Sequence, residues 1–166
     1  AIDPASRFVN RGVAPAAGAV WTLLESGPAS EKVDLLRISE GYTAAELPKF
    51  HADARRLVDA LFAHEPFKSR RGDFNVRGLD LPSAASGVTR ARAGQFRRTP
   101  ISAEYNIFDS ERYVLTLDNR AFRDAASSAP YEFVEILVNE AQYGGGGIFN
   151  DQATTAVDTG FAEYVF

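Results

Sequence analysis

The sequence predicts an α/β protein, an α+β layered domain built on a twisted, mostly parallel sheet. Short runs of aliphatic and β-branched residues alternate with amphipathic segments of helical spacing, an order typical of such sheets. Gly, Pro and polar residues separate these runs and are typical of turns. With 166 residues, 45% of them hydrophobic, the chain is long enough for one domain with a buried core.

The composition excludes several kinds of site and partner. The net charge of −4 argues against nucleic acid as the main partner. No apolar run approaches the roughly 18 residues that a membrane-spanning helix needs, so no membrane partner is expected. The sequence has no Cys, which excludes disulfides, thiolate metal ligands and a thiol nucleophile.

Residues 1–30 are predicted to form an extended lead-in or linker, because Ala, Pro, Gly and Ser are frequent there. Residues 20–24 are the one stretch of the lead-in that could form a strand. The domain itself is predicted to span residues 31–166. Its first element should be a central strand at residues 33–38, a β-rich run.

The best-defined helix follows that strand. Thr43 and Glu46 have the spacing of a capping box, and the apolar residues after them share one helical face, at positions 50, 54, 57, 58, 61 and 62. Pro48 lies slightly deep in this helix, so we expect it to remove one backbone hydrogen bond and make the first turn irregular. Glu65 and Pro66 should end the helix.

The second half of the sequence predicts further strands and two more helices. Strands are expected at residues 74–81, 113–117 and 131–139, the last being the most apolar. A helix at residues 120–128 should be capped by Asp118 or Asn119. The glycine run, Gly144 to Gly147, should precede a short edge strand at residues 148–150. A polar loop then leads to a closing amphipathic helix that starts near residue 158.

The glycine run leaves two interpretations open. It could be a flexible hairpin loop. Alternatively, the missing side chains could leave the backbone of the following strand open to a peptide that adds as an extra strand. A phosphate-binding loop is excluded, because no Gly-Lys-Ser or Gly-Lys-Thr sequence follows the glycines.

The two histidines do not have the spacing of a zinc site. His51 and His64 are 13 residues apart, on opposite sides of the predicted helix, whereas two ligands from one helix need to be four residues apart. Ordinary helix histidines are the favoured interpretation. Asp34, Glu40 and Asp80 could supply an acid/base pair near strand ends, although surface or capping carboxylates are more common.

The loop at residues 83–100 is rich in arginine. Arg90, Arg92, Arg97 and Arg98 could hold phosphate or nucleic acid, with Phe96 as a stacking group. The acidic net charge favours a solvated loop instead.

An ordered set of segments resembles the bacterial IgA-cleaving zinc metallopeptidase family. The matching segments are residues 33–46, 110–120, 136–148 and 164–166. In that family, the segment like Tyr164-Val165-Phe166 runs directly into a His-Glu-x-x-His helix. The resemblance therefore implies that this chain is the amino-terminal half of a zincin-like catalytic domain, truncated just before its zinc ligands.

This resemblance carries specific expectations. The parent protein would be a secreted or periplasmic zinc metallopeptidase, whereas this chain alone would be inactive, with no catalytic or metal-binding residue. The strand after the glycines would be the edge strand that aligns an extended peptide or protein substrate antiparallel to itself. Its substrate-binding residues would be Gly146, Gly147, Ile148 and Phe149.

Two alternatives from other classes are a non-catalytic module that binds extended peptides along the edge strand, and a structural accessory domain. Replacing Ile148 with Pro should lower peptide affinity in the first and only stability in the second. Because a truncated domain leaves an apolar face of the sheet uncovered, self-association is also expected.

Overall fold

The computed structural model describes residue 3, residues 5–7 and residues 16–160. The predicted closing helix falls mainly on residues 161–166, which lie outside the described residues. The strands are β1 Ala19–Leu24, β2 Val33–Glu40, β3 Phe74–Asp80, β4 Glu104–Tyr105, β5 Val114–Leu115, β6 Phe133–Val138, β7 Gly145–Ile148 and β8 Gln152–Ala156. The α-helices are α1 Leu47–Leu61 and α2 Asn119–Ala126.

Six strands form one mixed sheet in the order β1-β3-β2-β6-β8-β7. The four inner strands are parallel to one another, and the two outer strands are antiparallel to the inner strands that they pair with, β1 to β3 and β7 to β8. The predicted α/β class and mostly parallel sheet are therefore confirmed. β2 is central as expected, and the candidate strand in the lead-in is the edge strand β1.

Helices cover both faces of the sheet. On one face, α1 buries Phe50, Ala54 and Leu57 against Tyr42 and Leu137. On the other face, α2 buries Phe122, Ala125 and Ala126 in a larger core that includes Leu36 and Ile38 of β2. Neither helix of the described chain combines the length and the apolar character that crossing a bilayer requires.

The start of α1 confirms the capping box and corrects the expectation for Pro48. The Thr43 backbone N–H donates to the Glu46 carboxylate at 2.9 Å, and a 3-10 turn, Ala44–Glu46, precedes the helix. Pro48 therefore lies in the first turn of α1. An N–H in that turn has no partner within the helix, so Pro48 removes no hydrogen bond of α1 and the predicted loss was wrong. The irregular start that was also predicted is present as the 3-10 turn Ala44–Glu46.

A strand predicted at residues 113–117 is shorter than expected. It is β5, two residues long, and it pairs with β4 in a separate two-stranded sheet. α2 follows with Asp118 as its N-cap, whose side chain accepts from the Ala121 backbone N–H at 3.0 Å. The predicted second helix and one of its two candidate caps are thus confirmed.

The region after the glycines differs most from expectation. The edge strand is formed by the glycines themselves and ends at Ile148, so the strand predicted at residues 148–150 was wrong. The predicted polar loop is the parallel strand β8, in which Thr154 and Thr155 are buried. The hydroxyl of Thr154 donates to the backbone carbonyl of Val114, so a polar side chain can be buried there.

Candidate functional site

The outer side of β7 is the candidate site that the fold supports best. In an antiparallel pair, residues alternate between directing their backbone groups at the partner strand and directing them away. The Ala156 N–H donates to the Gly144 carbonyl at 3.0 Å, which fixes the phase of this alternation. Gly146 and Ile148 therefore bond to β8, whereas Gly145 and Gly147 direct their N–H and C=O groups outward.

A neighbouring segment covers the beginning of this outer edge. The outward N–H of Gly145 donates to the Arg112 carbonyl at 3.0 Å, and Tyr113 forms a parallel β-bridge with Gly145. Gly147 lies beyond this cover. Its N–H and C=O are the pair in β7 that an added peptide strand could reach first. No sequence pattern indicated the covering role of Arg112.

Packing explains three of the four glycines. A Cβ atom on Gly144 would lie 2.5 Å from the Tyr105 ring, and one on Gly145 would lie 2.7 Å from the Thr154 carbonyl oxygen. A Cβ on Gly146 would lie 2.9 Å from the Leu115 side chain. Gly147 differs, because a Cβ there would meet no atom within 4 Å. The first three glycines are therefore needed for close packing. The fourth, Gly147, has no neighbouring atoms around its Cβ position, so the edge of β7 is uncovered there.

The last two predicted substrate-binding residues carry exposed apolar side chains. Ile148 closes β7 and is 37% exposed. Phe149 lies in the turn between β7 and β8, outside the strand, and is 91% exposed. Their side chains lie directly after the open backbone of Gly147, where they can contact an extended ligand.

The two histidines lie apart, and only one is on a helix. His51 on α1 lies 2.9 Å from the Asp80 carboxylate and 4.2 Å from the Trp21 ring centroid. His64 lies in the turn after α1, which ends at Leu61, so its predicted place on the same helix was wrong. The interaction with Asp80 gives His51 a structural role at the end of β3.

The three candidate carboxylates are not brought together as an acid/base pair. Asp34 lies at the start of β2, where it pairs with Arg77. Glu40 and Asp80 both lie at strand ends, but the register of β2 with β3 places their side chains on opposite faces of the sheet. Each carboxylate therefore has its own separate environment.

Glu40 anchors a loop. Its carboxylate is fully buried and accepts hydrogen bonds from the Thr99 hydroxyl, the Ala103 N–H at 2.8 Å and the Ile101 N–H at 3.4 Å. Burial raises the pKa of Glu40 to about 7, although these hydrogen bonds act in the opposite direction. The side chain thus fixes the loop before β4 to the carboxyl end of the central strand.

One arginine of the arginine-rich loop forms ion pairs with two acidic neighbours, and two others are exposed. Arg92 pairs with Asp109 and lies 3.7 Å from the Glu111 carboxylate. Phe96 is 73% exposed, and Arg97 and its neighbour Arg98 are exposed as well. These contacts agree with a solvated loop.

The described residues do not fit a catalytic metal. Within the described chain, no group of three His, Asp or Glu side chains lies close enough to hold a metal ion. His51 already contacts Asp80, and His64 is 13 residues further along the sequence.

Comparison with known proteins gives one family. The model of the family described as IgA Peptidase M64 matches residues 21–166, which is most of the chain. This span includes all eight strands of the described chain except the first two residues of β1. No curated protein matches the chain.

Proposed function

The chain belongs to the IgA Peptidase M64 family, and we propose that it is the scaffold and substrate-edge portion of a secreted zinc metalloendopeptidase that hydrolyses peptide bonds in proteins. Family membership supports the peptidase class. The open backbone of Gly147, on an antiparallel edge strand, is the observation that supports substrate binding at this place.

A peptide that binds here would add as one more strand. The outward N–H and C=O of Gly147 would each form a main-chain hydrogen bond with it, and the exposed side chains of Ile148 and Phe149 would contact its side chains. Main-chain bonding gives affinity for extended peptides with little dependence on sequence. This is the behaviour expected of a protease that acts on proteins.

Zinc is proposed as the cofactor of the parent protein. Its chemistry would be to lower the pKa of a bound water to about 7 and to polarise the scissile carbonyl. Because residues 1–166 contain no His-Glu-x-x-His segment, the ligands would have to come from other residues. We therefore propose that the 166-residue chain alone is inactive, and chelator-sensitive hydrolysis by the purified chain would contradict this.

Gly147 provides a sharper test of edge binding than Ile148. The N–H of Ile148 is directed at β8, so Pro at that position would disrupt the hairpin and lower stability in any case. Gly147→Pro removes an outward N–H, and Pro is tolerated where an edge strand faces solvent. Gly147→Ala is the matched control, because it keeps the N–H and its Cβ has open space.

The test measures affinity for extended peptides and stability together. We expect Gly147→Pro to weaken binding about tenfold, as loss of a main-chain hydrogen bond implies, and to unfold at nearly the same urea concentration. Gly147→Ala should bind like the original chain. Equal affinity in all three proteins would exclude β7 as the substrate edge.

A non-catalytic peptide-binding module is the second candidate, and the same open edge favours it. The two candidates differ in whether the whole protein also hydrolyses the peptide that it binds. Peptide affinity would survive chelation in both cases, but hydrolysis lost on chelation in the parent protein would support only the peptidase. If Gly147→Pro changes neither affinity nor hydrolysis in the parent protein, a structural accessory role is favoured.

Secretion or a periplasmic location is proposed from the family resemblance. Self-association through an apolar face of the sheet also stays a proposal. In the described chain α1 and α2 pack on the two faces of the sheet, and Phe133 on β6, at 61% exposure, is one large apolar side chain that they leave exposed. Light scattering at increasing concentration tests this, and a monomer at every concentration would contradict it.

A further inference from the structure

The open part of β7 is short, so main-chain hydrogen bonds alone give a peptide little affinity there. Gly147 offers one outward N–H and one outward C=O, whereas the N–H of Gly145 already donates to the Arg112 carbonyl at 3.0 Å. Each main-chain hydrogen bond changes affinity by roughly twofold to tenfold. Association also costs translational and rotational freedom, which two such bonds do not offset. Side-chain contacts must therefore supply much of the affinity.

Residues 113–117 run alongside β7 in the same direction. The segment begins with Tyr113, which forms a parallel β-bridge with the start of β7. Further along, the Thr116 carbonyl accepts a hydrogen bond from the Gln152 side-chain amide at 3.4 Å. Gln152 is the partner of Ile148 in the register of β7 with β8. The last residue of the segment therefore lies at the Ile148 end of β7.

Two exposed apolar residues, Ile148 and Leu117, meet at this end of β7. Directly opposite residues of an antiparallel pair carry their side chains on the same face of the sheet. The Gln152 side chain contacts the 113–117 segment, so the side chain of its partner Ile148 is directed to that face as well. Ile148 is 37% exposed, and Leu117, the last residue of the segment, is 64% exposed. An apolar side chain that packs on both would remove part of this surface from water.

An antiparallel peptide strand brings one particular residue to this surface. The peptide residue that pairs with Gly147 exchanges both main-chain hydrogen bonds with it. The residue immediately before it in the peptide lies beside Ile148, because the two chains run in opposite directions. Its side chain is directed to the same face as that of Ile148, whereas the side chain of the residue paired with Gly147 is directed to the other face. On that other face, a Cβ on Gly147 would have no atom of the described chain within 4 Å.

We propose that the edge of β7 selects extended peptides with an apolar residue immediately before the residue that pairs with Gly147, and that Ile148 and Leu117 bind its side chain. This inference rests on the proposed function of β7 as a substrate edge and gives that edge a substrate class. The main-chain bonds are independent of sequence, so the preference comes from this side-chain contact. Leu117 is thereby a specificity-determining residue.

The first test compares capped peptides in NMR titrations of the 166-residue chain, followed at the Gly147 amide signal. The host peptide is acetyl-Thr-Thr-Leu-Thr-Thr-Thr-amide, in which Leu is the only apolar residue. The all-Thr peptide should bind about tenfold more weakly. N-methylation of the Thr that follows Leu removes the N–H that donates to the Gly147 carbonyl, so it should also weaken binding about tenfold. N-methylation of Leu is the matched control, because that N–H is directed away from β7.

Two protein variants each remove one side of the apolar contact. Ile148→Thr keeps a β-branched residue in the strand, and Leu117→Thr changes an exposed side chain. Each should weaken binding of the Leu peptide about fivefold and leave binding of the all-Thr peptide unchanged. Val20→Thr is the matched control, because Val20 lies on the opposite edge strand, β1, and is 39% exposed, close to the value for Ile148. It should bind both peptides like the original chain.

The outcomes separate the apolar preference from the proposed function of the edge. Equal affinity for the Leu and all-Thr peptides, or unchanged binding of the Leu peptide in both folded variants, would overturn the preference. If Gly147→Pro still weakens binding in that case, the edge function is retained. Weaker binding on N-methylation of Leu, and not of the following Thr, would overturn the assigned position. Gly147→Pro that binds both peptides like the original chain, or no saturable binding of any peptide, would overturn the edge function and this inference with it.

Discussion

Arg37 and Glu135 form an ion pair with an N–O distance of 2.9 Å on neighbouring central strands, beneath α1. The Arg37 side chain is fully buried, and its Nη1 atom donates to the Ala54 carbonyl of α1 at 3.4 Å. Thr155 of β8 donates its hydroxyl to Glu135 at 3.1 Å. Burial lowers the pKa of Arg37, and the charge of Glu135 opposes that effect. One buried pair thus connects β2, β6, β8 and α1.

We predict that Glu135→Gln destabilises the chain by about 3 kcal/mol, because it leaves the buried Arg37 charge without a counter-ion. The measurement is the free energy of unfolding from urea titration. The double variant Arg37→Met, Glu135→Leu removes both charges and should recover most of the loss. A loss below about 0.5 kcal/mol for Glu135→Gln would mean that the pair does not hold the strands together.

Gly145 and Gly147 in β7 should differ in how the same substitution changes the stability of the chain. Gly145→Ala places a Cβ atom 2.7 Å from the Thr154 carbonyl oxygen, a backbone atom that cannot move aside easily. We expect a loss of about 1–3 kcal/mol. Gly147→Ala places its Cβ in open space and should be neutral or slightly stabilising, since Ala restricts the unfolded chain. Equal unfolding midpoints for the two variants would contradict the register of β7.

Stability should depend on pH through Glu40. Burial raises the pKa of Glu40 from its ordinary value of 4.5 to about 7, so the folded chain holds this proton more tightly than the unfolded chain. Its contribution to stability is fully present below pH 4.5 and is lost as the pH rises to about 7. The loss should amount to about 2–3 kcal/mol.

Glu40→Gln isolates this effect from other titrating groups. The amide keeps an acceptor oxygen for Thr99 and Ala103 but cannot ionise, so the variant should gain stability relative to the original chain as the pH rises. Urea titrations of both proteins at several pH values give the difference. A difference that stays constant between pH 4.5 and 7 would show that Glu40 does not titrate in this range.

The sequence predicts those elements whose stability is local. Thr43 and Glu46 mark the start of α1 through a capping box, and Asp118 caps α2, because each of these bonds joins residues at most three positions apart. The apolar runs of β2 and β6 predict central strands because both faces of these strands are covered by helices.

The site was harder to predict because long-range contacts create it. Three of the four residues of β7 are glycines, which are depleted in strands, so pairing with β8 imposes the conformation on them. β8 was missed because Thr154 is polar, and its burial depends on hydrogen bonds to the carbonyls of Val114, 40 positions earlier, and Gly146. The adjacent β-branched residues Thr154 and Thr155 were the signal that could have indicated a strand.

Amide hydrogen exchange at Gly147 tests the account most directly. In the free chain its outward N–H should exchange rapidly, whereas those of Gly146 and Ile148 are protected by β8. A saturating extended peptide should slow exchange at Gly147 about tenfold or more and leave its two neighbours nearly unchanged. If the peptide binds while exchange at Gly147 stays the same, the edge of β7 is not the substrate site.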